Sequence, residues 1–249
     1  MDNTDSILSR KLALFNLEVF RLFVHPGEVV EVRIPKIYGK SPAWGGWARG
    51  TVSGYFDDHE SFCKAVQLAD KTPHNGIYFT LQVIDPRLIG RAFNRLKMAD
   101  LTTSDTNVLA YRWLPVDIDP VRPAGVSSSI SELQKAMVLR EAVSMWAVKN
   151  FGLASPIQGM SGNGAHLLFR LPDIPATMEN QLFIKQTLEE IAAAFKSDEV
   201  NIDTTVFNPA RIWKLYGTTS RKGDHVPEGK CREERPFRKS FIDSLGSQE

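Results

Sequence analysis

Cysteine is nearly absent from this chain of 249 residues: it has two, Cys63 and Cys231, far apart in sequence. That excludes a disulfide framework and a cysteine-based zinc finger, and it fits a reducing, cytoplasmic setting. Any apolar run long enough to span a bilayer is missing as well. The opening Met1-Asp-Asn-Thr-Asp5 is acidic and polar, unlike a signal peptide, so neither secretion nor membrane attachment is expected. A charge of one sign is also lacking, because 30 basic and 29 acidic residues leave a net charge of +1. That is little for a protein whose partner is a polyanion. No internal repeat or low-complexity tract is visible. Against these absences, 43% of the residues are apolar, ample for the core of one large domain or of two intertwined modules.

The most informative stretch that is present is Trp113-Leu-Pro-Val-Asp117-Ile-Asp119-Pro120. The run from Tyr111 to Ile118 reads as a strand buried on both faces. Residues two apart on a strand share a face, so Asp117 and Asp119 project together and need a cation. Oxygen ligands with no cysteine or histidine beside them suit Mg²⁺ or Mn²⁺ rather than Zn²⁺. Asp-x-Asp also occurs in turns and at solvated strand ends, so the pair alone does not decide.

Two further elements stand downstream. Met160-Ser161-Gly-Asn-Gly164-Ala-His166 is a glycine-punctuated turn that delivers a histidine to the start of an apolar strand. Its consecutive amides suit an anion-binding nest with His166 facing a phosphate; the alternative is a hairpin turn with a histidine satisfied in the core. Val200-Asn-Ile202-Asp203-Thr204 is another apolar strand interrupted by one carboxylate, which by itself reads as a turn or helix-capping residue rather than a ligand.

In this order and company the three elements resemble the three-motif signature of the archaeo-eukaryotic primase superfamily. The nearest likeness is to the primase-polymerases of phages, plasmids and other mobile or defence-associated elements. The block Phe207-Asn-Pro-Ala-Arg211-Ile-Trp-Lys214-Leu-Tyr-Gly217-Thr-Thr-Ser-Arg221-Lys222 resembles the basic segment that follows the family's third motif. The likeness runs from about Tyr111 to Lys222, with less of it in the N-terminal part. One departure is Gly164, two places before the histidine, where the family often has serine. A hydroxyl contact to phosphate is thereby lost, while Ser161 and the backbone amides remain.

The resemblance implies an α+β fold. Residues 109–240 would form an RRM-like palm, a split βαβ unit with a mixed sheet and helices packed on it. Residues 1–108 would be a smaller N-terminal α/β module, and 241–249 a tail or the start of a linker. It further implies a template-directed nucleotidyltransferase in which Asp117, Asp119 and Asp203 hold two divalent ions, Mg²⁺ or Mn²⁺. Ser161, Gly164, His166, Arg211, Lys214, Arg221 and Lys222 would bind a nucleoside triphosphate, assisted by amides of a short helix starting at Asn208-Pro209. Single-stranded DNA template and primer are the expected partners, and a helicase-like region is often fused to such cores, so the chain is expected to be an excised core. The alternatives are a catalytically inactive nucleic-acid-binding module of the same fold and a rolling-circle replication initiator. The latter needs paired histidines, and His166 has no histidine partner in its motif.

Local signals complete the expectations. Ser129-x-x-Glu132 is a capping box opening a helix that stops at Gly152, and a second helix starts near Thr177 to Glu179. From Tyr111 the order is strand, helix, strand, helix, strand. Upstream, Val29–Ile34, Arg49–Phe56 and Ile77–Val83 read as strands, and Asp58–Ala69 as a helix capped by Asp57 or Asp58. Gly39 to Gly50 is a glycine-rich loop with Trp44 and Trp47, indoles that either stack on bases or plug the core. Asp57-Asp-His59-Glu60 is better explained as helix capping than as a metal cluster. Positive charge gathers between Arg211 and Lys239, which suits triphosphate or a nucleic-acid backbone, or else a solvated tail. Pro120 to Ser131 and Gly223 to Arg238 are the expected mobile loops.

Overall fold

The computed structural model describes residues 13–227, 229 and 233–247; Cys231 and the charged Glu228, Lys230 and Arg232 lie outside them, as do residues 1–12. In chain order the first part contains α1 (Leu17–Phe23), β1 (Val30–Ser41), β2 (Gly46–Phe56), α2 (His59–Asp70), β3 (Tyr78–Thr80), β4 (Val83–Ile84) and β5 (Lys97–Met98). The second part runs β6 (Val108–Pro120), α3 (Ile130–Phe151), β7 (Ile157–Met160), β8 (Ala165–Pro175), α4 (Met178–Ala194) and β9 (Val200–Ile202). The chain then adds the short strands β10 (Ile212–Lys214), β11 (Thr219–Ser220), β12 (Arg238–Lys239) and β13 (Phe241–Ser244).

The local signals explain these bounds. Both halves of the Ser129/Glu132 capping box form, and Gly152 ends α3 at φ 65°. Thr177 caps α4 by accepting from Asn180 N, and Asp58 caps α2 by accepting from Ser61 N. Asp58 is thus engaged as a cap and not as a metal ligand. From Tyr111 to Pro120 every residue of β6 is buried except Asp117 and Asp119, so the strand is covered on both faces until its carboxylates open into solvent.

Two larger antiparallel sheets pack together, and β11 and β12 form a third, two-stranded one. The first has the order β10-β3-β1-β2-β5, and the second runs β13-β7-β8-β6, with β4 and β9 both pairing with β6. The strand, helix, strand, helix, strand reading needs one correction, because β7 precedes β8 and the order is strand, helix, strand, strand, helix, strand. The expected mixed sheet is also corrected: every pairing between named strands is antiparallel. The strands β6 and β7 do run parallel, as a helical crossover between them requires. The tight Ser161–Gly164 turn sends β8 back between them and makes each contact antiparallel. Helix α3 packs on β6 and β8.

Residues from both sides of position 108 mix. β10 joins the first sheet, β4 joins the second, and the segment from 241, expected as tail or linker, adds β13 to the edge of β7. Aromatic packing ties the sheets together, with Phe23 against Trp113 at 5.3 Å and against Phe79 at 5.4 Å between ring centroids. Each such ring buried contributes roughly 1.5–3 kcal/mol. Arg112, 1% exposed, crosses the same junction, donating to Glu28 at 2.6 Å and to Asp173 at 2.7 Å. Among the described residues no helix is long and apolar enough to cross a membrane.

Candidate active site

Strand register builds the site. In the second sheet Ile118 pairs with Ile202, and the next step of that ladder is a bond from Asp203 N to Asp117 O at 2.9 Å. Across the other edge Asp117 pairs with His166, and His166 pairs with Gly159. Asp203, Asp117, His166 and Gly159 therefore form one transverse row over four strands, with side chains on one face. Asp119, two residues along, shares that face. The row opens into a cleft of about 240 Å³ lined by Asp117, Asp119, Asp203, Ser161, His166, Arg211, Lys214 and Lys222, together with Tyr78, Asn163, Trp213 and Ser220. Residues separated by more than 100 positions meet there.

Gly159 and Gly164 are glycines for reasons of space. A Cβ on Gly159 would stand 2.7 Å from the ring of Tyr216, and one on Gly164 would stand 2.5 Å from Ile118 O and 2.7 Å from Asp119 Oδ1. A serine at 164 does not fit without moving the carboxylate strand. Gly159, in turn, leaves the gap that Tyr216 fills beside His166.

That gap sets the state of the histidine. Trp213 Nε1 donates to the Tyr216 hydroxyl oxygen at 2.9 Å, and the same hydroxyl lies 2.9 Å from His166 Nδ1. Indole nitrogen is a donor only, so the phenol proton is free to go to Nδ1. Burial pushes the Tyr216 phenol far above its ordinary range, which keeps that proton in place. His166 then carries its hydrogen on Nε2, facing Asp117 Oδ1 at 3.4 Å. The opposite tautomer would turn a lone pair toward a carboxylate. The indole of Trp213 packs against the imidazole at 4.1 Å between ring centroids, tilted by 40°, and restricts its plane.

The carboxylates lack a full counter-charge. Its recessed position and the neighbouring Asp117 raise the Asp119 pKa, against the partial relief given by Arg122 and Lys222. Arg122 Nη1 lies 3.2 Å from Asp119. Asp203 spends one oxygen capping the 3₁₀ turn Thr204–Phe207, accepting from Thr205 N at 2.8 Å. The donor set is oxygen, which suits Mg²⁺ or Mn²⁺, and among the described residues no three acidic, histidine or cysteine side chains already converge on one point. A hard cation that takes one or two carboxylates and completes its shell with water and substrate phosphate fits this arrangement.

Cations occupy the opposite wall. Lys214 is 5% exposed and donates to Thr218 Oγ1 at 2.9 Å and Thr219 O at 3.0 Å, with no carboxylate of the described residues in hydrogen-bond range. Burial lowers its pKa to about 7, helped by Arg221 and opposed by Asp70. Arg211 holds Thr205 O, and its Nε is buried without a partner. Arg221 and Gly164 do not line the cleft. Arg221 is tied to Asp70 O at 2.8 Å and to His74, while Asp70 also accepts from Thr219 N at 2.8 Å. Burial would raise the Asp70 pKa, but His74, Thr219 and Arg221 bring it to about 2.

Two expectations about anion-binding amides are corrected. In the Ser161–Gly164 turn the amides are used internally: Gly162 N bonds Met160 Sδ, and Asn163 N and Gly164 N bond Ser161 Oγ at 3.4 and 2.9 Å. No helix starts at Asn208-Pro209; Ala210 N bonds Asp105 Oδ1 and Arg211 N bonds Asn208 O. Contacts to an anion therefore fall to His166 and to the basic side chains. The loops expected to be mobile hold each other, since Arg235 donates to Ser127 O at 2.7 Å and Ser127 Oγ to Lys222 O at 3.1 Å. Tyr78, Arg122, Asn163, Trp213, Tyr216 and Ser220 belong to the site or its walls and were not singled out by motif.

No family model matches the chain, and no curated protein sequence does. Among solved structures it is similar to the primase RepB', at 9% identity and a TM-score of 0.39, over 88% of this chain and 51% of that one. It is also similar to the polymerase domain of Mycobacterium tuberculosis Ligase D in complex with DNA, at 17% identity and a TM-score of 0.45, over 89% of this chain and 77% of that one. The chain spans about half the length of the primase. At these values the functional reading rests on the cleft and not on the likeness.

Proposed function

We propose that this protein is a DNA primase-polymerase, a template-directed nucleotidyltransferase on an RRM-like palm. The observation that carries the reading is the row of Asp203, Asp117 and His166 across three strands, with Asp119 beside it and Lys214, Arg211 and Lys222 facing it. Carboxylates on one wall and cations on the other suit a substrate that is polyanionic yet must bring its own metal. The strand order β9-β6-β8-β7, joined as strand, helix, strand, strand, helix, strand, supports the palm assignment.

In this reading Asp117, Asp119 and Asp203 would hold two divalent ions. Mg²⁺ or Mn²⁺ there would activate the primer 3′-hydroxyl and neutralise the leaving pyrophosphate. The chain's own residues position the reactants. His166 Nε2–H donates to a phosphate oxygen of the incoming nucleotide, and Lys214, Arg211 and Lys222 neutralise the triphosphate. The hydroxyl oxygen bonds the α-phosphorus as the bond to pyrophosphate breaks, and the hydroxyl proton passes to water. Phosphoryl transfer asks mainly for this kind of placement and charge matching.

The test is primer synthesis on single-stranded DNA with Mn²⁺ or Mg²⁺ and labelled nucleotides, wild type against the Asp117→Ala/Asp119→Ala double variant. Products from wild type alone support the proposal. Extension of an annealed primer without initiation narrows it to a polymerase. Incorporation that survives the double substitution overturns the assignment of catalysis to this row, and a wild type that binds DNA and incorporates nothing replaces the proposal with a binding module.

A further inference from the structure

The hairpin formed by β1 and β2 carries side chains that the cleft does not use. Its strands pair Tyr38 with Arg49 and Lys40 with Trp47, so these four share one face as a lattice of alternating ring and cation. The inward face holds Ile37 and Ala48, both buried, and at the tip the 3₁₀ turn Pro42–Trp44 sends Trp44 into the core. Thus the two tryptophans of the glycine-rich loop divide: Trp44 plugs the core, and Trp47 does not.

Tyr38 is 75% exposed and Trp47 61% exposed, and their rings meet edge to face at 5.4 Å. Such a cross-strand pair stabilises a hairpin by about 0.5–1.5 kcal/mol. This hairpin is already anchored by Trp44 and by the Ser41–Thr72 hydroxyl contact at 3.0 Å. Hairpin stability therefore does not account for two large rings left mostly in water. Nor does it account for the charge. From Val32 to Phe56 the chain has no acidic residue, and Lys36, Lys40 and Arg49 form no ion pair among the described residues.

We propose that the Tyr38/Trp47 face of this hairpin binds single-stranded DNA, with bases stacked on the two rings and phosphates matched by Lys40, Arg49 and Lys36. Exposed rings interleaved with cations are what an unpaired strand offers partners for: each base has an apolar face and each nucleotide a negative charge. A duplex hides its base faces and satisfies only the cations. The position suits a template, which rests on the polymerase reading above. β1 continues into Val32 and Arg33, which pair with β3, and β3 pairs with β10, whose Lys214 lines the cleft. The aromatic face thus begins roughly 15–25 Å along the same sheet from the cleft wall.

Fluorescence anisotropy of a labelled oligothymidylate, in EDTA and without nucleotide, separates this proposal from catalysis. Trp47→Ala should weaken binding by about 5- to 100-fold, the range expected for one stacked base. Lys40→Gln/Arg49→Gln should lower the slope of log affinity against log salt by about 1 to 1.5. Quenching of tryptophan emission on binding should be lost in Trp47→Phe. Asp117→Ala should bind the oligonucleotide as wild type does even if synthesis is abolished, so failure of either reading shows separately. Unchanged affinity in both Trp47→Ala and Tyr38→Ala/Trp47→Ala overturns the proposal. So does tighter binding of duplex than of single strand, or a concentration-dependent dimer that Trp47→Ala abolishes while DNA affinity stays the same.

Discussion

Tyr216→Phe removes one oxygen and tests how the site holds its histidine. The ring keeps its place in the gap over Gly159, so packing changes little. What is lost is the hydroxyl that accepts from Trp213 Nε1 and donates to His166 Nδ1, both at 2.9 Å. The variant strands one donor and one acceptor, at roughly 1–3 kcal/mol each. Partial relaxation leaves an expected stability loss of about 2–4 kcal/mol. A second effect falls on function. Without the phenol proton on Nδ1, the imidazole is free to exchange tautomers, and its Nε2–H is no longer guaranteed to the phosphate. A hydrogen bond to a charged group is worth about 1.5–3 kcal/mol, so kcat/KM for nucleotide should fall about 10- to 100-fold. The assay is single-nucleotide incorporation at saturating annealed primer, below the variant's Tm, alongside His166→Gln and the double variant. If Tyr216 acts through His166, its substitution adds little in the His166→Gln background. Additive losses, or a destabilised variant with wild-type kcat/KM, would refute the tautomer argument.

Three further predictions follow from the same cleft and its supports. Lys214 has a folded pKa of about 7 against 10.5 unfolded, so the unfolded chain binds more protons between those values and stability rises with pH across that window. Triphosphate favours the charged lysine, so nucleotide affinity should fall toward tenfold per pH unit above about 7. Titration calorimetry in buffers of different ionisation enthalpy should register proton uptake, which Lys214→Met should abolish. Gly164→Ser should lose several kcal/mol of stability and weaken Mn²⁺ binding measured by thermal shift, because its Cβ would press on Ile118 O and Asp119; a wild-type Tm would show that the turn yields easily. Arg112→Met should cost about 3–5 kcal/mol by leaving Glu28 without its guanidinium partner and Asp173 with Arg170 alone, read from chemical denaturation, whereas a loss under about 1 kcal/mol would mean that Arg170 and solvent replace it.

Signals confined to a few neighbouring residues were legible before the structure. The Ser129/Glu132 capping box, the Gly152 stop and the doubly buried β6 follow from local preference and periodicity, and they lie where the sequence puts them. What failed were statements about neighbours in space. The mixed sheet was implied by the family resemblance, and nothing local says that β8 folds back between β6 and β7. Ile157–Met160 is too short to announce itself as a strand, yet its Gly159 is the space in which Tyr216 sits.

The site divides in the same way. Its charged residues were visible because carboxylates on apolar strands and basic residues near a glycine turn are anomalies that need partners. The amides expected to bind an anion looked available only while the fate of Ser161 Oγ and Asp105 was unknown, for those two atoms take the bonds. Trp213 and Tyr216 stood within the basic block and read as ordinary apolar residues. Their role arises when β10 is carried into the first sheet and laid over the second, so that an indole and a phenol meet a histidine about 50 residues upstream in a row set by register. A charge announces its need for a partner in the sequence, whereas a residue that only orients that charge acquires its meaning from the fold.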